Sequence, residues 1–454
     1  MGAATAIDSV SRAGRALVVG LGASGLSTAR WLAARGWTVA VTDSRRDPPG
    51  LEPLRRELPD VGLFLGGFAA EAFAQAELVV VSPGVPLSTP EVEAAQARGV
   101  PVVGDVELFA RAVERPVAAI TGSNGKSTVT TLLGRMAAAA GLKAAVGGNL
   151  GEPVLDLLQR HADLFVVELS SFQLETTESL SAAVAAVLNV SADHMDRYPS
   201  LDAYAAAKAR IYRQAEVGIC NLDDPRVVAM AREGETLSFT LGEPSSETVF
   251  GLRRAGGRSW LCRGDETLLA ADEVRMRGRH NLANALAALA MGSALELPLE
   301  AMAAALREFP GLPHRTEYLG NVGGVEWYDD SKGTNPGATV AALEGLAAAK
   351  GRTVLIAGGQ GKRADFTELA PAVEAHARAL VLIGEDADRI AEALEGTVPM
   401  VKAADMAEAV AEAAALAQPG DRVLLSPACA SFDMFRGFEH RGEVFRRCVE
   451  ELKR

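Results

Sequence analysis

Residues 117–131 constrain this chain more than any other stretch. Val117-Ala-Ala-Ile120 is a short apolar run, the pattern of a buried strand. Thr121-Gly-Ser-Asn-Gly-Lys-Ser-Thr128 follows, and residues 129–141 read as a helix. A strand that turns through glycines into a helix aims successive backbone N–H groups at one point, and the helix N-terminus adds partial positive charge there. Gly122 and Gly125 let a phosphate approach the backbone closely, Lys126 brings a full charge, and the Ser127 hydroxyl can hold Mg²⁺ beside a phosphate. The strict phosphate-loop pattern has a glycine where Ile120 stands, so this is a shorter variant with the same strand-before, helix-after context. ATP with Mg²⁺ is the first functional expectation.

At 454 residues the chain exceeds one ordinary core and is expected to hold about three domains. A formal charge of −13 argues against a nucleic-acid or anionic-membrane partner, so an anionic substrate would need local cationic pockets. Cys220, Cys262, Cys429 and Cys448 are scattered, with no metal-ligand spacing, and read as ordinary reduced thiols. No apolar run reaches transmembrane length and no signal peptide is read, so a cytoplasmic enzyme, not an integral membrane protein, is expected. Residues 1–13 read as a loose tail.

Residues 14–104 alternate strand and helix. Gly20-Leu-Gly-Ala-Ser-Gly25 is a complete G-x-G-x-x-G, and Asp43 ends the next strand about twenty residues on. Three readings stay open: NAD binding, a turn that needs glycines only for packing, or another nucleotide held with help from Ser44 and Arg45. Ser82-Pro-Gly84 follows a further strand, at the kind of carboxyl end where ligands collect. Residues 102–109 read as a connector. Beyond the phosphate loop, residues 147–151 (Gly-Gly-Asn-Leu-Gly) read as a flexible loop able to approach a ligand.

Glu168 ends a strand beside the phosphate loop and suits Mg²⁺, or else starts a helix. His194, between Asp193 and Asp196, is open between ligand and structural residue, because imidazole suits zinc better than magnesium. Lys208 sits in a small apolar run and is either solvent-facing or a reactive amine with a lowered pKa. Residues 217–277 read as short strands and turns with few signals. Asn281 and Asn284 lie one turn apart on a helix, and Phe309-Pro-Gly-Leu-Pro-His-Arg315 marks the next boundary. Four later strands deliver Asp329-Asp-Ser-Lys-Gly-Thr-Asn335, residues 358–362, Gly384 and Ser426-Pro-Ala-Cys-Ala-Ser-Phe-Asp433 at their carboxyl ends. The expected face carries Lys332, Thr334, Lys362, Ser431 and Phe438.

With these motifs in hand, nearly the whole chain resembles the Mur ligases of peptidoglycan synthesis, ATP-dependent amide-bond-forming enzymes. The stretches that carry the likeness are the phosphate loop, Glu168–Glu175, Asp193–Tyr198, Pro313-His-Arg315, Asp330–Asn335 and Leu425–Asp433 with Arg441-Gly442. The resemblance implies three α/β domains: a Rossmann-like UDP-binding domain at 1–104, a central ATP-binding domain at 105–311 and a Rossmann-like amino-acid-binding domain at 312–454, with mobile linkers near 105 and 312. It is strongest to the members that add D-glutamate to UDP-N-acetylmuramoyl-L-alanine through an acyl phosphate.

That likeness implies roles. Lys126, His194, Lys208, Lys332 and Lys362 would be catalytic. Gly122, Ser123, Asn124, Gly125, Lys126, Ser127, Thr128, Asn281, Asn284, Arg315, Asp330 and Lys332 would contact ATP. Ser127 and Glu168 would hold one Mg²⁺, and His194 with a carbamylated Lys208 a second, since CO₂ turns that amine into the oxygen ligand magnesium prefers. Gly22, Ala23, Ser24, Asp43, Ser44, Arg45, Ser82, Gly84, Asn149, Ser170 and Gln173 would take the UDP-sugar. Thr334, Lys362, Ser431, Phe432 and Phe438 would take D-glutamate. A monomer is expected.

Overall fold

In the computed structural model the described residues are 14–230, 232, 234–347, 351–361 and 364–453. The tail at 1–13 and Lys362 therefore lie outside them. Three sheets follow one another along the chain. The first has five parallel strands in the order Gly62–Leu65, Thr38–Asp43, Arg15–Val19, Leu78–Val81, Val102–Val103. Its order reverses beside Arg15–Val19, the switch point where an open α/β sheet forms a crevice.

The second sheet has nine strands. Val117–Thr121, every residue buried, lies between Leu164–Glu168 and Val184–Val187, all parallel. This pairing sets the phosphate loop, Glu168 and the chain leading to His194 at one edge. The far side ends in Val249–Ala255, Arg258–Arg263 and Glu266–Ala270, paired antiparallel. The third sheet has six strands, parallel except for the edge strand Glu317–Val322.

The expected connector at 102–109 is ordered differently: Val102–Val103 closes the first sheet and Asp105–Ala112 is a helix. Asp105 and Glu107 in its first turn suit the helix dipole. Val106, Leu108 and Phe109 are fully buried in a core cluster that also takes Leu26 and Phe165, from either side of the joint. The joint near 105 is thus a packed helix and not a loose linker, because freeing it would expose that apolar face. Gly147 and Gly148, expected in a loop, end the edge strand Ala144–Gly148. Among the described residues no helix is long and apolar enough to cross a membrane.

Candidate active site

The phosphate loop forms as its residues dictate. Gly125 adopts φ +83°, a left-handed conformation, and the helix Lys126–Ala139 starts directly after it. The loop is clamped from behind by Asn189: its carbonyl accepts from Ser123 N at 2.9 Å and its Oδ1 from Asn124 N at 2.8 Å. Lys126 folds back, donating to the carbonyls of Gly122 and Ser123 at 2.9 Å each. Ser127 Oγ accepts from Arg315 Nη2 at 2.7 Å, a contact that spans the central and third domains.

Glu168 is 2% exposed. Its Oε1 accepts from Asn149 Nδ2 at 2.7 Å, while Oε2 is buried with no hydrogen-bond partner among the described residues. An orphaned carboxylate oxygen costs free energy unless a cation satisfies it. With hydroxyl and carboxylate oxygens as donors, Ser127 and Glu168 fit a magnesium ion chemically.

Lys208 is not solvent-facing: it is 1% exposed, with Nζ donating to Gly122 O at 2.8 Å and lying 4.3 Å from the Tyr204 ring centre. Burial pushes its pKa well below the usual ammonium range, and neighbouring Lys126 pushes it further. His194 has φ +58°, rare for a residue with a side chain, and its ring stands edge-on to Phe172 at 4.9 Å.

A cavity of about 1010 Å³ opens between the central and third domains. Asn124, Gly125, Thr128, Asn281, Asn284, Arg315, Asp330 and Lys332 line it. Gly122, Ser123, Lys126 and Ser127 do not, consistent with a loop whose lysine and serine are already engaged. Asn284 donates to Asn281 Oδ1 at 3.0 Å, and Asn281 donates to Arg277 O at 2.7 Å. Burial lowers the Lys332 pKa to about 8, and its Nζ lies 3.9 Å from the Phe438 ring centre. Sequence reading missed other residues of the lining, among them Asn221, Asp223, Phe239, Leu241 and His280. Asn221 and Phe239 end parallel strands, the positional signal that could have found them.

A second cavity, about 580 Å³, lies at the switch point of the first sheet. Gly22, Ala23, Ser24, Asp43, Ser44, Arg45, Ser82, Gly84, Asn149 and Gln173 line it. Ser170 does not; it caps the short helix Ser171–Glu175, with Gln173 closing the capping box. Asp43 Oδ2 accepts from Leu21 N at 2.7 Å, and both oxygens accept from Arg45. Burial alone would raise this carboxyl, but those donors hold it at about 2. An acid so engaged is poorly placed to take a ribose diol, which weighs against the NAD reading.

In the third domain, Ser431 is 2% exposed but Phe432 is 69% exposed, so the adjacent side chains do not share one environment. Thr334 N donates to Lys332 O at 2.8 Å, tightening the turn that carries both. The loop holding Ser431 is anchored by Arg441, which donates to Ser331 Oγ, Ser331 O, Cys429 O and Ala430 O at 2.8–3.4 Å.

The family models Mur ligase MurD-like N-terminal domain, Mur ligase middle domain, and Mur ligase glutamate ligase domain match residues 14–104, 120–292 and 314–429. The chain is 56% identical over 442 residues to UDP-N-acetylmuramoylalanine–D-glutamate ligase of Nitrosococcus oceani, covering 97% of each. It is 53% identical to the protein of that name in Methylobacillus flagellatus, covering 96% of this chain and 97% of the relative. In fold it is similar to UDP-N-acetylmuramate-alanine ligase of Thermotoga maritima, at TM-score 0.60 and 18% identity over 96% of this chain and 99% of that one. Folylpolyglutamate synthase of Mycobacterium tuberculosis, solved with ADP, is similar over 75% of this chain and 92% of that one, at TM-score 0.57 and 17% identity. Three domain models in unbroken order, and relatives more than half identical from end to end, settle the matter of descent: the chain belongs to the Mur ligase family.

Proposed function

We propose that this protein joins D-glutamate to UDP-N-acetylmuramoyl-L-alanine at the expense of ATP, in the cytoplasmic stage of peptidoglycan precursor synthesis. The family is ATP-dependent, and the relatives more than half identical carry this activity in their names. The observation that carries the reading at the site is Glu168: one oxygen is held from the rim of the sugar-nucleotide cavity, and the other is buried and unsatisfied beside the phosphate loop. We divide the chain functionally at 104/105 and 311/312.

In this reading Lys126 leaves the carbonyls of Gly122 and Ser123 for the β- and γ-phosphates, and Arg315 leaves Ser127. Ser127 and Glu168 would hold one magnesium ion; His194 and Lys208, the latter carbamylated by CO₂, would hold another. Bound there, magnesium neutralises phosphate charge so that a carboxylate can approach a triphosphate. Asn149 and Gln173 orient the L-alanyl carboxylate towards the γ-phosphorus. Arg315, Asp330 and Lys332 close over the nucleotide, which keeps water from the acyl phosphate. Thr334, Lys362, Ser431, Phe432 and Phe438 place the D-glutamate amine against the activated carbonyl. Placement and charge neutralisation supply most of the rate.

The test is phosphate release from ATP and UDP-N-acetylmuramoyl-L-alanine with D-glutamate, L-glutamate, L-lysine or no amino acid. D-Glutamate alone should give sustained release; release indifferent to the amino acid, or none, would defeat the proposal.

A further inference from the structure

Asn335 closes the Asp330–Asn335 turn. Its side chain crosses from the third domain to the phosphate loop. Asn335 Nδ2 donates to Asn124 Oδ1 at 3.3 Å, while Asn335 Oδ1 accepts from Asn124 Nδ2 at 3.4 Å. The two amides thus pair reciprocally. Asn335 Nδ2 also reaches Asp193 Oδ2 at 3.4 Å, next to His194. Its Oδ1 in addition accepts from Ala338 N at 2.8 Å, capping the helix Pro336–Gly345. The residue is 6% exposed.

A second close approach lies beside it. A Cβ on Gly337 would stand 2.8 Å from both Cβ and Oγ of Ser191, so the first turn of this helix rests directly on the chain behind the loop. Ser191 is itself part of the clamp: its carbonyl accepts from Ser123 Oγ at 2.9 Å and its hydroxyl from Asn124 Nδ2 at 3.3 Å. The amide contacts are at the long end for hydrogen bonds. Such contacts bias an equilibrium between domain positions without locking it, as a site that must load and release substrates requires.

We propose that Asn335 is a positioning residue that couples the seating of the third domain to the phosphate loop. Through Asn124 it aligns the loop, and through the helix it caps it carries Gly337 onto Ser191, so that Arg315 and Lys332 arrive over the nucleotide together. Resting on the ligase reading, it predicts a defect in assembling the closed site and not in binding the sugar nucleotide.

The test uses Asn335→Ser, which keeps a capping oxygen but lacks the amide, and Asn335→Ala, which lacks both. Asn335→Ser should melt within about 2 °C of the parent, as expected when the cap survives. Its radius of gyration by small-angle X-ray scattering, without ligands, should exceed the parent's. Its kcat/KM for D-glutamate should fall about tenfold with the affinity for the UDP-sugar unchanged, and the Asn124→Ala/Asn335→Ser double variant should be no worse than the worse single, as for residues that act as one unit. A purely structural cap would lower only the melting point, and only in Asn335→Ala. Scattering from Asn335→Ser identical to the parent, or losses that multiply in the double variant, would overturn the proposal. Scattering is read without turnover, so an inactive parent would defeat the ligase reading and leave this test standing.

Discussion

Asn149 donates to Glu168 across 2.7 Å, and this contact ties the first-domain cavity to the strand end beside the phosphate loop. Asn149 lines the first-domain cavity, and Glu168 ends the strand beside the phosphate loop. In Asn149→Asp a second carboxylate would face Glu168 without a donor between them. We expect the Mg²⁺ concentration for half-maximal phosphate release and the KM for the UDP-sugar to rise together, each roughly 10- to 100-fold for the loss of a charge-assisted hydrogen bond. A magnesium titration of the variant checks this; a change in one parameter alone would separate the two sites.

Lys208 is buried against Tyr204 and Gly122, and its lowered pKa favours the neutral amine, the form that attacks CO₂. Enzyme depleted of CO₂ should lose activity and recover it with bicarbonate. Lys208→Ala should lose at least about 10²-fold in kcat, with partial recovery in added acetate or formate. Full activity of rigorously depleted enzyme would contradict this role.

Asp330 couples pH to stability. Burial raises its carboxyl to about 7, although Ser426 Oγ donates to it at 2.6 Å and Thr316 N at 3.0 Å. The unfolded chain releases this proton near 3.8, so between about 4 and 7 the folded form holds more protons and stability from this group falls as pH rises. The full swing is at most about 4 kcal/mol. Asn at this position lacks the titration, so the melting temperature of Asp330→Asn relative to the parent should climb from pH 5 to pH 8. A pH-independent difference would show that Asp330 is ionised throughout.

Arg441 is a buried cation, 1% exposed, whose donors serve four oxygens on two loops. Lysine cannot span that fork. Arg441→Lys should cost about 2–3 kcal/mol, lower the melting temperature by several degrees, and raise the KM for D-glutamate more than that for the UDP-sugar. An unchanged melting curve would mean water replaces the lost donors.

The parts of the site legible in the sequence are those where one residue type has a strict local job. Gly125 and Lys126 announce the loop, Glu168 and Asp43 mark strand ends, and Pro313 marks the boundary before the third domain. What was not legible depends on neighbours remote in sequence. Asn189 clamps the loop from 65 residues away, a partnership set by sheet order. The antiparallel strands between 249 and 270 have mixed exposed and buried positions with little clean alternation, so they read only as turns and short strands. Residues 102–109 read as a connector because glycine and two acids obscure a helix that forms by packing between two sheets. The fold of Lys126 back onto its own loop is a property of assembled geometry, invisible to motif spacing.

In the proposed reaction the terminal phosphoryl group passes to the carboxylate of the sugar-nucleotide substrate before the amine attacks. UDP-N-acetylmuramoyl-L-alanine labelled with ¹⁸O at both oxygens of that carboxylate distinguishes this order from the alternatives. The bridging oxygen of an acyl phosphate leaves with phosphorus, so mass spectrometry should find one ¹⁸O in each phosphate released with D-glutamate. Phosphate free of label, with amide still formed, would contradict the account.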